Sequence, residues 1–170
     1  MILNALRALG GGLRRRDVPP GTRELLDRYA AEHGGVRDVL AALRDTADLV
    51  ATAPDAPQCL PALRGTHRRL TGEVLPHEAA EERQLYPALA DPLGSAEATS
   101  TMSRAHVEIR RLVERLGAHL AQAGDGPLRR DQLTDLLATL YGLEAILRLH
   151  LAQEEEDYFS LSPAEPAETR

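Results

Sequence analysis

A His followed four residues later by a Glu occurs twice in this chain, and this pattern restricts the fold more than any other feature. The first copy is His77 with Glu81, the second is His150 with Glu154, and the copies are 73 residues apart. Residues four apart lie on the same face of an α-helix, so the imidazole and the carboxylate of each copy converge. The spacing therefore predicts two helices that each present a pair of metal ligands.

The repeat includes two more histidines and the apolar residues around them. His33 and His106 are also 73 residues apart, so each half contains one single His and one His and Glu pair. Apolar residues recur in both halves at alternating steps of three and four, and the ligands occupy positions in these stripes. The stripes of the first half are Tyr29, His33, Val36, Leu40, Leu43 and Ala47, followed by Leu60, Leu63, His67, Leu70, Val74, His77 and Glu81. We interpret the chain as one helical hairpin used twice.

Composition and length favour an all-α fold of one domain. Leu, Ala, Arg and Glu are abundant, aromatic residues make up 3% of the 170 residues, and no alternation of period two indicates a strand. Breaker residues divide the chain into predicted helices at about 22–51, from the turn at 53–57 to about 86, at 100–121 and at 128–159. We expect residues 22–160 to form an up-down-up-down four-helix bundle.

Two prolines fall in the second predicted helix. Pro87 is expected to end it, so that residues 88–99 form the longest connection, from one hairpin to the other. Pro76 directly precedes His77, and an interior proline is expected to kink the helix there. We favour the interpretation that this bend directs His77 and Glu81 into the bundle.

In such a bundle the histidines and glutamates of the repeat lie at a similar height, because neighbouring helices are antiparallel. An unpaired buried polar group costs about 2–7 kcal/mol, and metal ions would compensate this cost. Imidazole and carboxylate without thiolate suit iron, manganese or zinc, and the repeat predicts a dinuclear site with room for an oxide or hydroxide bridge. The two histidines of each half would hold one ion, and the two glutamates would bridge. The predicted metal ligands are His33, His77, Glu81, His106, His150 and Glu154.

Other polar side chains near the ligands have open interpretations. His67 lies about 15 Å from His77 along the helix axis and His119 lies off the stripe, so we interpret both as structural or exposed. Glu78 is an additional ligand candidate, and Tyr29 either packs or donates a hydrogen bond into the site. Four acids form either a solvated face or hydrogen bonds to the ligating imidazoles, namely Glu82, Glu155, Glu156 and Asp157.

The two ends of the chain differ from the rest. Residues 1–16 contain an apolar run, Gly10–Gly12 and Arg14–Arg16, but no acid. We expect this segment to be either a linker or the end of a membrane helix, because residues 2–9 resemble the close of the last membrane helix in heavy-metal P-type ATPases. Arginines after such a helix indicate the cytoplasmic side. Residues 161–170 are expected to be disordered.

Charge and cysteine content restrict the partners and the compartment. A net charge of −6 argues against a nucleic-acid partner. The single cysteine, Cys59, excludes an internal disulfide and suits a reducing, cytoplasmic compartment.

As a set, these residues resemble the hemerythrin-like, or HHE cation-binding, family. The resemblance covers about 22–159 and rests on the six ligands, on Leu85-Tyr86-Pro87 after the first pair and on Tyr158-Phe159 after the second. It implies a four-helix bundle with two non-heme iron ions and with oxygen, peroxide or nitric oxide as small ligands. Oxygen-carrying members have a second His one turn after the third-helix His, where this chain has Arg110. Their last carboxylate lies five residues after its His, a position that Glu155 occupies here.

These differences disfavour reversible oxygen carriage and leave three functions open. The first is a cytoplasmic di-iron sensory or regulatory domain, attached to a heavy-metal transport ATPase. The second is an enzyme that degrades or reduces peroxide, in the manner of a catalase. The third is a structural or storage bundle loaded with zinc.

Overall fold

The computed structural model describes residues 18–126 and 128–161, which form long helices and no strand. The helices are α1 (Pro20–Thr52), α2 (from Cys59 to Leu93), α3 (Ser100–Ala123) and α4 (Arg130–Asp157), with short 3-10 turns at Ala96–Thr99 and Phe159–Leu161. α1 packs against α2 and α4, and α3 packs against the same two helices. The prediction of an all-α four-helix bundle is therefore confirmed.

The helix α2 is longer than predicted and has an irregular backbone. Its α-helical segments are Cys59–Arg69, Leu75–Ala80 and Tyr86–Leu93, and two π-helical turns join them at Leu70–Val74 and Glu81–Leu85. The φ and ψ angles at every junction remain helical, so the rod is continuous. The predicted helix end at Tyr86 and the predicted long connection over residues 88–99 are therefore wrong.

The positions of the prolines explain this result. Pro76 and Pro87 are each the second residue after a π-helical turn. A π-helical turn contains an extra residue and leaves one carbonyl without its usual N–H partner, so a proline, which has no N–H, fits directly after it. The irregularity expected at Pro76 is accordingly a π-helical turn before it. The helix ends instead at Gly94, whose positive φ of 73° is the left-handed conformation typical of a helix C-terminus.

A polar layer divides the core of the bundle into two apolar clusters. The larger cluster borders this layer with Val36, Val74, Ile109 and Leu147, one from each helix. The smaller cluster borders it on the other side with Tyr29, Leu85, Met102, Tyr158 and Phe159. Because the predicted ligands lie between these two sets on all four helices, the polar layer is enclosed by hydrocarbon above and below.

The predictions for the two ends of the chain concern residues that are mostly outside the described part. Residues 1–16 and 162–170 are not described, and Leu161 is the last residue of a 3-10 turn. Over residues 18–126 and 128–161, no helix combines the length and the apolar character needed to cross a membrane.

Candidate metal centre

The polar layer brings all six predicted ligands into one buried cluster. Their side chains come from all four helices and are at most 8% exposed, namely His33, His77, Glu81, His106, His150 and Glu154. The Oε1 atom of Glu81 is 3.2 Å from Nε2 of His77 and 3.9 Å from Nε2 of His33. The other oxygen of Glu81 is 3.4 Å from Nε2 of His106. One carboxylate therefore faces imidazoles from three helices.

The second carboxylate, Glu154, completes the cluster from α4. Its Oε2 atom is 3.4 Å from Nε2 of His150 and 3.4 Å from Nε2 of His33. The donor atoms form two groups in which all members lie within 4.8 Å of one another, and Glu81 belongs to both. One group adds His33 and His77, and the other adds His106, His150 and Glu154. This is the division into two ion positions that the repeat predicts.

Many polar atoms in this cluster have no hydrogen bond. They include Nε2 of His33, Nε2 of His77, both oxygens of Glu81 and Oε2 of Glu154, although nitrogen and oxygen atoms lie close together. Buried polar groups are normally hydrogen-bonded, and each exception is costly. A cation among these atoms would satisfy them, and imidazole with carboxylate is a donor set that suits iron, manganese or zinc. The residues present therefore fit a metal site.

Without metal, protons balance the charges of the cluster. Burial alone lowers the pKa of His33 and of His106, but the neighbouring carboxylates outweigh it and raise the pKa of each to about 9. Burial alone raises the pKa of Glu81, but the imidazoles around it hold that pKa far below its usual range. Burial lowers the pKa of His150, whose Nε2 atom is 2.9 Å from Nε2 of His106. Metal ligation requires neutral imidazole, so a metal ion must displace these protons.

Carboxylates on the outside of the bundle hydrogen-bond to three of the four imidazoles. Nδ1 of His33 is 3.1 Å from Glu155, Nδ1 of His77 is 3.0 Å from Glu32, and Nδ1 of His106 is 2.9 Å from Glu82. Such a bond fixes the tautomer and turns Nε2 towards the centre. Of the two interpretations of Glu82 and Glu155, hydrogen bonding to ligands is therefore the one that the structure supports.

Glu32 was not identified from the sequence. It lies on an exposed face of α1 directly before His33, outside the apolar stripe. Only the packing of α1 against α2 brings its carboxylate to His77. The sole signal in the sequence was its position beside a ligand.

Two tyrosines border the cluster in different ways. The hydroxyl of Tyr86 donates a 2.6 Å hydrogen bond to Oε1 of Glu154, and its ring stacks on His106. Burial and the nearby carboxylates raise the pKa of Tyr86 well above its usual range, so the hydroxyl stays protonated. Tyr29 contacts the ring of His77 edge to face, but its buried hydroxyl has no hydrogen-bond partner. Of the two interpretations of Tyr29, packing is the one that the structure supports.

Glu78 is buried beside the cluster, with 1% of its surface exposed. Neither of its oxygens has a hydrogen bond, and burial raises its pKa to about 8. It belongs to neither of the two donor groups. It therefore remains an additional ligand candidate.

Three other side chains lie outside the cluster, as the sequence predicted or implied. Nε2 of His119 is 2.8 Å from Asp135 on the neighbouring helix. His67 is half-buried next to Gly117, and Arg110 is exposed. Within residues 18–126 and 128–161, none of the three belongs to either donor group.

Comparison with known proteins identifies the family. No curated protein and no solved structure is significantly similar to the chain. The family described as Hemerythrin HHE cation binding domain matches residues 24–162, a range that contains all six clustered ligands. The bundle and its His and Glu cluster agree with that description. The chain therefore belongs to the hemerythrin HHE cation-binding domain family.

Proposed function

We propose that this domain binds two iron ions in the buried cluster and that it senses oxygen, redox state or iron. The observation that supports the proposal is the set of buried, mutually facing nitrogen and oxygen atoms without hydrogen bonds. Two imidazoles and a carboxylate around one ion resemble the facial arrangement of non-heme iron(II) sites, which leaves coordination positions open. Iron therefore fits better than an ion that needs a closed site.

The repeat assigns the ligands to two positions. His33 and His77 would hold one ion, His106 and His150 would hold the other, and Glu81 would be shared between them. Glu154 would be the second bridging carboxylate, and Glu78 would supply a further oxygen. A pair of irons supplies one-electron redox chemistry and open positions for oxygen, peroxide or nitric oxide.

The location of the cluster suggests how the chain itself would respond. Because all four helices contribute ligands, a change in charge at the cluster acts on every helix contact in the polar layer. The unpaired donors and the high pKa values of His33 and His106 mean that the metal-free and metal-loaded forms differ in protonation. A regulatory domain requires such a difference between two states.

Metal analysis combined with visible spectra tests this function. We expect about two irons per chain and an absorption band of the oxidised protein that disappears on reduction. A protein loaded with zinc would not absorb visible light, which separates the storage interpretation from the proposed one. Purified protein that retains only traces of iron after anaerobic loading would contradict the proposal.

Peroxide chemistry is the second candidate, and one contact favours it. The hydroxyl of Tyr86 is a buried proton donor within hydrogen-bond distance of Glu154 and His106. A proton donor at this place suits the reduction of peroxide to water. Rapid peroxide consumption by the iron-loaded domain, with a loss in Tyr86→Phe, would favour the enzyme over the sensor.

The proposal includes attachment of the domain to a heavy-metal transport ATPase on the cytoplasmic side. Its support is the similarity of residues 2–9 to the end of a transporter helix and the arginines at 14–16. Sequencing of the gene upstream of Met1 tests the attachment. Membrane helices encoded in the same reading frame are expected, and a stop codon there would contradict it.

A further inference from the structure

The hydrogen bonds to the four imidazoles follow the internal repeat in one case. Glu155 contacts Nδ1 of His33, and Glu82 contacts Nδ1 of His106. Both members of the first pair are 73 residues from the matching members of the second, with the two halves exchanged. The bundle therefore has an approximate twofold symmetry that extends beyond the ligands.

The same symmetry fails at the other two histidines. Glu32 on α1 contacts Nδ1 of His77. The equivalent residue for His150 is Ala105 on α3, which has no acceptor. Nδ1 of His150 is buried and has no hydrogen-bond partner. Three imidazoles are thus supported by a carboxylate from a neighbouring helix, and His150 is not.

A second difference affects the carboxylates. Tyr86 donates a hydrogen bond to Glu154, whereas the residue at the equivalent position is Phe159, whose ring packs on His33 at 4.7 Å. Without a hydroxyl there, both oxygens of Glu81 have no hydrogen bond. Glu154 therefore has one oxygen engaged by the protein, and Glu81 has both oxygens available to a cation.

We propose that the two ion positions are inequivalent, with Glu32 as a positioning residue that makes the position of His77 the tighter one, and with Ala105 leaving the position of His150 weaker. This inference rests on the proposed binding of two irons. A carboxylate on Nδ1 orients the imidazole and raises its basicity as a ligand, and loss of such support typically lowers metal affinity 10- to 100-fold. The domain would then lose its ions in two steps as free iron falls, and the ion at His150 would leave first.

Titration of the metal-free full chain with ferrous iron, under anaerobic conditions and against a competing chelator, measures both dissociation constants. For the unmodified chain we expect two constants that differ by about 10-fold or more. Glu32→Ala should raise the lower constant about 10- to 100-fold, and Glu32→Gln, which keeps an acceptor oxygen, should recover part of the loss. Glu24→Ala is the matched control, because it removes the same charge from an exposed position of α1.

The reverse change tests the weaker position. Ala105→Glu should lower the higher constant about 10-fold by supplying the missing acceptor, and Ala105→Gln separates added charge from added volume. Proton NMR of the zinc-loaded protein should show a slowly exchanging Nδ1–H of His150 only in Ala105→Glu. Circular dichroism monitors folding, and if Ala105→Glu does not fold, the Glu32 variants decide the question.

The outcomes separate this inference from the proposed function. Two bound irons with equal constants, or constants that Glu32→Ala leaves unchanged, would overturn the inequivalence but not the di-iron site. Binding of fewer than one iron by the unmodified chain would overturn both. Two distinct constants, of which Glu32→Ala shifts the lower, would establish the inference.

Discussion

The hydrogen bond between Tyr86 and Glu154 offers a direct test of the polar layer. Tyr86→Phe removes one hydroxyl and retains the ring that stacks on His106. Phenylalanine is compatible with such an environment, because Phe159 occupies the equivalent position of the repeat against His33. The substitution therefore leaves the packing intact and deprives Glu154 of its donor.

The size of the effect follows from the geometry. The donor and acceptor are 2.6 Å apart, and Tyr86 is 4% exposed. A buried hydrogen bond to a carboxylate contributes about 1.5–3 kcal/mol, so the metal-free protein should lose that amount of unfolding free energy. For a chain of this size the loss corresponds to a decrease in Tm of about 3–12 °C. Urea unfolding followed by circular dichroism measures it, with an unchanged m-value as the sign of two-state behaviour.

Tyr29→Phe is the matched control. Tyr29 is also buried at the edge of the cluster, but its hydroxyl has no hydrogen-bond partner. Its removal should leave stability unchanged or increase it, since an unsatisfied buried hydroxyl is unfavourable by about 1–3 kcal/mol. Equal effects of the two substitutions would refute the assignment of the Tyr86 hydroxyl as the donor to Glu154.

Three further predictions concern the metal and the protons. Glu81→Ala should reduce bound iron from about two to fewer than one per chain in elemental analysis, because Glu81 faces both ion positions, while Glu73→Ala on the exposed side of the same helix should not. Since His33 and His106 have a pKa of 6.5 unfolded and about 9 folded, their stabilisation of the metal-free protein is complete below pH 6.5 and is lost as the pH rises to 9. Urea midpoints should therefore fall over this range, and a rise would contradict the pKa assignments. Loading of two ions at pH 7.5 should release at least two protons, measured by calorimetry in two buffers of different ionisation enthalpy, and no proton release would be inconsistent with protonated imidazoles.

The ligands and the bundle could be predicted from the sequence because they depend on local spacing. Helical periodicity places His77 with Glu81, and His150 with Glu154, on single faces, and the 73-residue repeat relates the two hairpins. The structure buries these faces at one height, as expected. The backbone of α2 was predicted less well, since Pro87 normally ends a helix and the π-helical turn that accommodates it leaves no recognisable pattern in the sequence.

The tertiary structure alone decided which residues support the ligands. Glu32 reaches His77, and the hydroxyl of Tyr86 reaches Glu154, across contacts between helices that are distant in sequence. Such contacts depend on the rotation and offset of one helix against another, which side-chain packing sets and which periodicity within one helix does not contain. The sequence by itself determined that a paired site exists, and helix packing determined that His150 lacks the support that the other three imidazoles have.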